Sequence, residues 1–195
     1  MKKYYLYILL VRTNTIISRL IHIIKKDTYT HASISLDKNL NNLYSFGRRQ
    51  VYNPFIGCFK KENITSGLYK VYHQSPCEIL ELEVTKEQYD KACDVIKHFV
   101  ENSETYKYNY MGLLYILLNK ETTNDRFLCS EFVYYVLNEC GVLDLNIPKN
   151  LVRPQNFLSI KSDRIFKGKI NSLNNKLTID NYPNLESLSA NAQEQ

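Results

Sequence analysis

A cysteine that opens a helix and a histidine that opens a strand are the residues of this sequence whose chemistry could combine. Beyond Cys129, apolar residues fall at Phe132, Val133, Val136, Leu137 and Cys140. That is the spacing of one stripe of an amphipathic helix. Gly141 follows the last of them, where a helix C-cap belongs. Cys129 therefore sits in or just before the first turn. A thiol there meets unpaired backbone N–H groups and the positive end of the helix dipole. Both favour the thiolate, which is the nucleophilic form. Position alone is equally compatible with a small buried hydrophobe, a frequent role of free cysteine. Of the four histidines, His22 and His98 fall within helix patterns and His73 at a strand end. His31 alone stands on the polar face of a strand. In residues 31–36, Ala32, Ile34 and Leu36 share one face, and His31, Ser33 and Ser35 the other. A thiol nucleophile needs an imidazole to take its proton and return it to the leaving group.

Positioning such a pair falls to the elements around it. Tyr4–Val11 is a nearly continuous apolar run, the mark of a strand covered on both faces. After a cap within Thr13-Asn14-Thr15, the residues Ile16, Ile17, Leu20, Ile21 and Ile24 share one helical face, with Arg19, Lys25 and Lys26 off it. This predicts a helix packed on the sheet; the alternative is a basic amphipathic helix on a membrane surface. A turn over 37–42 leads to a return strand at 43–46, then a loop over 47–57 broken by Asn53-Pro54. After the Ser66-Gly67 breaker, strands are expected at 68–72 and 79–84. Thr85-Lys86-Glu87-Gln88 is a capping box, opening a helix with Tyr89, Ala92, Cys93, Ile96 and Phe99 on one face. An apolar helix over 111–118 and a polar loop over 119–125 lead to Cys129. Pro154 marks the first turn of a short helix, and 165–170 reads as the last strand. From Asn171 onward no period is visible. Residues 1–172 read as a single domain and 173–195 as a disordered C-terminal tail.

Composition narrows the class. The chain has 195 residues, 44% hydrophobic and 23% charged, which suits one soluble α+β domain with a real core. A net charge of +5 is too weak to imply nucleic acid, and no nucleic-acid-binding signature is present. The five cysteines are odd in number and include no Cys-x-x-Cys spacing. They match neither a disulfide framework nor a zinc pattern and fit reduced thiols in the cytoplasm, with no metal and no cofactor. Lys2-Lys3 before Tyr4–Val11 imitates a signal peptide. The run is short, carries three tyrosines and ends at Arg12 without a small-residue cleavage site, so a strand is the expectation. It is also far too short to span a bilayer.

Three pieces carry a family resemblance: Tyr29-Thr30-His31-Ala32-Ser33-Ile34-Ser35-Leu36, Tyr106-Lys107-Tyr108-Asn109-Tyr110 and Leu128-Cys129-Ser130-Glu131-Phe132-Val133. Together they resemble the circularly permuted, YiiX-like branch of the NlpC-type, papain-like cysteine amidases, in which the histidine strand precedes the cysteine helix. The likeness spans about Tyr4 to Phe157. It implies a permuted papain-like fold: a mostly antiparallel sheet packed against helices, with the cysteine helix at its centre. It also implies Cys129 as nucleophile, His31 as general base, and Tyr108 or a neighbouring tyrosine helping the Cys129 backbone N–H to hold an oxyanion. Ser130 belongs with Tyr108 as an oxyanion or substrate-binding residue. The family usually orients its histidine with a polar residue on the strand after the histidine strand. Here that strand reads Leu43-Tyr44-Ser45-Phe46-Gly47, so Ser45 is the nearest candidate and Gln50 a fallback. A hydroxyl holds an imidazolium more weakly than a carboxylate does. Arg48 and Arg49 beyond it suggest either a cleft for an anionic substrate group or a solvated loop.

The resulting expectation is a cysteine hydrolase that cleaves an amide or ester through a Cys129 thioester. Its substrate would be a small molecule, a peptide or a lipid-derived compound. A lipid acyltransferase or thioesterase of the same fold is the alternative, as in the related lecithin–retinol acyltransferase group. The basic helix would then give peripheral membrane contact without a transmembrane span. A catalytically silent binding module is the rival of another class: the weak third position favours it, and the Cys/His pair speaks against it.

Overall fold

The computed structural model describes residues 2–13, 26–48, 57–108 and 126–181. The helix expected over 16–24, Arg49 and Gln50, the apolar helix over 111–118, the loop over 119–125 and the chain after 181 lie outside the described residues.

Six long strands build an antiparallel sheet: β1 (Tyr4–Val11), β2 (His31–Ser35), β3 (Leu43–Arg48), β4 (Gly57–Glu62), β5 (Pro76–Val84) and β8 (Asp163–Lys169). Two two-residue strands, β6 (Lys107–Tyr108) and β7 (Arg126–Phe127), extend one edge and pair with each other in parallel. The order across the sheet is β7-β6-β4-β3-β2-β1-β5-β8. The helices are α1 (Gly67–Val71), α2 (Lys86–Glu101), α3 (Cys129–Glu139) and α4 (Ile170–Asn181). Two short 3-10 turns, Lys149–Leu151 and Pro154–Ser159, follow α3.

Helices cover both faces of the sheet, and the alternation of β1 shows why its sequence is apolar throughout. Leu6, Ile8 and Leu10 join Ala32, Ile34, Phe46, Phe59, Leu80 and Leu82 under α2 and α3. Tyr7, Leu9 and Val11 join Leu43, Cys77 and Ile79 beneath Tyr69 of α1 and Ile170, Leu173 and Leu177 of α4. A strand with helices on both sides has no solvent face to make polar. The Thr85 capping box forms as expected. Gly141 takes φ +67 after the α3 C-cap, and its N–H donates to the Asn138 carbonyl while Val142 N–H donates to that of Leu137. Only glycine adopts that left-handed conformation without strain.

Two expectations are corrected. Residues 68–72 do not form a strand: Gly67–Val71 is a short helix, and only Tyr69 on it is buried. Its aromatic and branched residues suit a strand, but the segment has no strand neighbour, and Val71 is 42% exposed. The place in the sheet belongs to β4, a segment whose Lys60-Lys61-Glu62 looks like a solvent face. The tail expected from residue 173 is helical through Asn181. Ile170, Leu173 and Leu177 are spaced i, i+3, i+7 and bury one stripe against the sheet, which orders a segment of low overall hydrophobicity.

One feature of the sheet prepares the site. Pairing between β2 and β3 comprises Ile34↔Tyr44 and Ser35↔Leu43. The other half of β2, beginning at His31, parts from β3 while staying paired to β1 through Val11↔His31.

Candidate active site

Cys129 is the first residue of α3, after Leu128 at the N-cap. Leucine has no acceptor to offer the helix, so the start is secured from the other side. The Glu131 carboxylate reaches back to accept the Leu128 N–H, one half of a capping box. Ser130 Oγ donates to the Val152 carbonyl at 2.6 Å. Phe132, Val133, Val136 and Leu137 are fully buried and lock the helix onto the sheet.

His31 lies at the parted end of β2. Its Nε2 donates to Glu62 Oε2 at 3.2 Å. The same carboxylate oxygen accepts from Ser33 Oγ and from Tyr69 OH, each at 2.6 Å, and those two hydroxyls lie 2.9 Å apart. Lys60 Nζ stands 3.5 Å from the other oxygen, Oε1. Glu62 reaches this position from β4 by passing over β3 at Gly47. A Cβ at Gly47 would lie 3.7 Å from Glu62 Oε1 and 3.3 Å from Lys60 Cε, so a larger side chain would enter the carboxylate's path.

The three groups are nearly enclosed, with Cys129 8%, His31 7% and Glu62 6% exposed. Burial pulls the imidazole toward its neutral form. The charge of Glu62, then the charge of Cys129, and hydrogen bonds to both oppose this and raise the His31 pKa from 6.5 to about 10. Burial works against the Glu62 carboxylate too. The His31 charge and hydrogen bond, Lys60 and the Ser33 hydroxyl outweigh it and hold the acid well below the usual carboxylate range. Tyr69 is pushed well above its ordinary value by burial and by the Glu62 charge, so it stays a donor to Glu62. Cysteine, imidazole and carboxylate thus form one coupled series, with the carboxylate fixed by two hydroxyls.

The fold brings Cys129 and His31 together across about a hundred residues. It does not give Ser45 the orienting role. Ser45 is fully buried on β3 opposite Lys60, and its Oγ has no hydrogen-bond partner among the described residues. The Leu43↔Glu62 register puts Glu62 on the same face as Ser45. Where β2 and β3 part, a hydroxyl one bond beyond Cβ does not reach the ring, while a carboxylate three bonds beyond Cβ does. Ser130 is also corrected: the residue is 2% exposed and its hydroxyl is committed to the Val152 carbonyl, so the side chain anchors the helix start. Tyr108 pairs with Phe127, two residues before Cys129, so its backbone lies beside the strand that leads into the cysteine helix. Arg48 ends β3 opposite Gly57. The side chains of Tyr108 and Arg48 lie outside the described residues.

Sequence reasoning missed Glu62 and Tyr69. One signal was available: Glu62 is the single acidic residue between Asp37 and Glu78, and a buried imidazole that is to carry charge needs a counter-charge. Among the described residues, no group of three His, Cys, Asp or Glu side chains is arranged to hold a metal ion. Nor is any described helix long and apolar enough to cross a membrane. A cavity of about 530 Å³ between β4 and α4 is lined by Asn39, Lys61, Glu62, Asn63 and Leu177 among others; neither Cys129 nor His31 lines it. No protein-family model, no curated protein and no solved structure matches this chain.

Proposed function

We propose that this protein is a cysteine hydrolase of permuted papain-like architecture, with Cys129 as nucleophile, His31 as its proton partner and Glu62 as the group that orients and charges His31. The observation that carries this reading is the convergence of Cys129 and Glu62 on one imidazole. Nε2 is engaged by Glu62, which leaves Nδ1 for the sulfur. His31 already holds the proton of the Cys129–His31 pair, and Sγ bonds to the carbonyl carbon of an amide or ester. The tetrahedral adduct collapses with loss of the C–N or C–O bond, and His31 protonates the departing amine or alcohol. Water then attacks the thioester, passes a proton to His31 and releases the acid. The Cys129 backbone N–H at the start of α3 and Tyr108 would hold the oxyanion. The catalytically silent alternative loses its main support, because the third position is a charged carboxylate. Acyl transfer to a lipid or another acceptor uses the same first step, and the acceptor decides between the two.

Three of the other four cysteines are disfavoured as nucleophiles by burial. Burial raises Cys77 to about 12 and also raises Cys93 and Cys140. The cysteines are free, which suits thiol chemistry in a reducing compartment such as the cytoplasm. The test is a panel of amide, ester and thioester electrophiles that label or acylate protein thiols, read by mass spectrometry. Adducts should form at Cys129, disappear in Cys129→Ala and fall steeply in His31→Ala. Equal labelling of another cysteine in the wild type, or no adduct with any electrophile, would overturn the proposal.

A further inference from the structure

For Cys129 and His31 to interact, the start of α3 must be held against the lead into β2, and both are tied to one short stretch, residues 152–155. On the cysteine side, Ser130 Oγ donates to the Val152 carbonyl at 2.6 Å. On the histidine side, Arg153 Nη1 donates to Asp27 Oδ1 at 2.6 Å, and Gln155 Oε1 accepts from Thr28 N at 2.9 Å. The stretch is itself stiff. Arg153 N donates to Asn156 Oδ1 at 2.8 Å, and Pro154 fixes φ at the first position of the following 3-10 turn. Little slack separates these anchors from His31. Asp27 and Thr28 precede it by four and three residues, Thr30 N donates to the Val11 carbonyl at 3.0 Å, and Tyr29 OH donates to Glu78 Oε2 at 2.7 Å. Of these anchors, the Asp27 side chain is only 3% exposed, so its ion pair with Arg153 is shielded from the solvent screening that weakens surface pairs.

We infer that residues 152–155 are the positioning strap of the Cys129–His31 pair, with Arg153 and Gln155 setting the approach of sulfur to imidazole from outside the site. This rests on the reading of Cys129 and His31 as the reacting pair. The groups that face His31 are Cys129 from α3, Glu62 from β4 with Lys60 beside it, Tyr69 from α1 and Ser33 from β2. Arg153 is not one of them, so its effect on the ring must pass through geometry.

The experiment follows the His31 imidazole by NMR titration in the full chain, with His31→Gln assigning the signal. The proteins compared are the wild type, Arg153→Ala, Arg153→Lys, Cys129→Ala and the double variant Cys129→Ala/Arg153→Ala. Loosening the strap withdraws the sulfur and leaves Glu62 in place. Arg153→Ala should therefore lower the His31 midpoint toward that of Cys129→Ala. Arg153→Lys should restore part of the difference, and the double variant should match Cys129→Ala alone. An Arg153→Ala midpoint equal to wild type, or a shift of the same size with and without Cys129, overturns the inference. Should Arg153→Ala fail to fold, Gln155→Ala decides by the same cycle, with Gln155→Glu retaining the acceptor for Thr28. The titration needs no substrate. Absence of hydrolytic chemistry would overturn the proposed function alone, and a flat cycle would overturn the strap alone.

Discussion

The Glu62 carboxylate gives the buried His31 imidazole a charged partner. Its oxygen Oε2 accepts from His31, Ser33 and Tyr69 together, so the carboxylate has one position and one charge state to offer the ring. The roles of Glu62 and Ser45 lead to opposite expectations. Glu62→Gln keeps the shape and removes the charge, which should slow iodoacetamide alkylation of Cys129 at neutral pH on the order of tenfold or more. Ser45→Ala removes a buried hydroxyl with no partner among the described residues. It should leave alkylation unchanged and raise unfolding stability on the order of 1 kcal/mol. Rate constants from intact-mass kinetics and a denaturant titration read the two effects. If Ser45→Ala slows alkylation as much as Glu62→Gln, the orienter has been assigned to the wrong residue. Cys129 and His31 were legible in the sequence because each carries a local pattern, a helix stripe and a strand alternation. Glu62 was not, because two lysines precede it and only the β3–β4 register turns Glu62 inward while Lys61 stays exposed.

At the scale of elements, the site depends on where a helix starts and where two strands stop pairing. The α3 stripe and its glycine stop were readable from residue types, as were β1, β2 and the Thr85 capping box. The parting of β2 from β3 was not, since register is a property of two strands and neither sequence records it alone. Leu68 to Tyr72 misled for a related reason: its composition suits a strand, and only the missing strand neighbour makes it a helix. The α3 start yields its own prediction. Glu131 is 1% exposed and accepts the Leu128 N–H, the half of a capping box that reaches back to the N-cap. Glu131→Ala leaves that donor buried and unpaired, which should cost about 1–3 kcal/mol by chemical denaturation. Glu131→Gln keeps an acceptor and should cost less. A Glu131→Ala protein as stable as wild type would mean that packing of the α3 stripe fixes the helix start unaided.

For the whole molecule, the His31–Glu62 pair joins β2 to β4 over the intervening strand β3 and so ties the sheet across the gap on which the site depends. That connection makes global stability depend on pH in a defined direction. The folded state holds Glu62 well below its ordinary value of 4.5, so the carboxylate contributes stability above pH 4.5 and loses it as the pH falls below that value. The folded state raises His31 from 6.5 to about 10, so the imidazolium contributes fully below pH 6.5 and loses its share as the pH rises toward 10. The pair is therefore most stabilising between pH 4.5 and 6.5. Urea denaturation of the wild type across pH 3 to 10 should give a curve highest in that interval and falling on both sides. Glu62→Gln carries no charge to lose in acid and gives His31 less reason to stay protonated. Its curve should be lower at the maximum and flatter on both limbs, with the difference from wild type shrinking at each extreme. A Glu62→Gln curve that runs parallel to wild type across the whole range would show that the pair makes no pH-dependent contribution, and the coupling of His31 to Glu62 would fall with it.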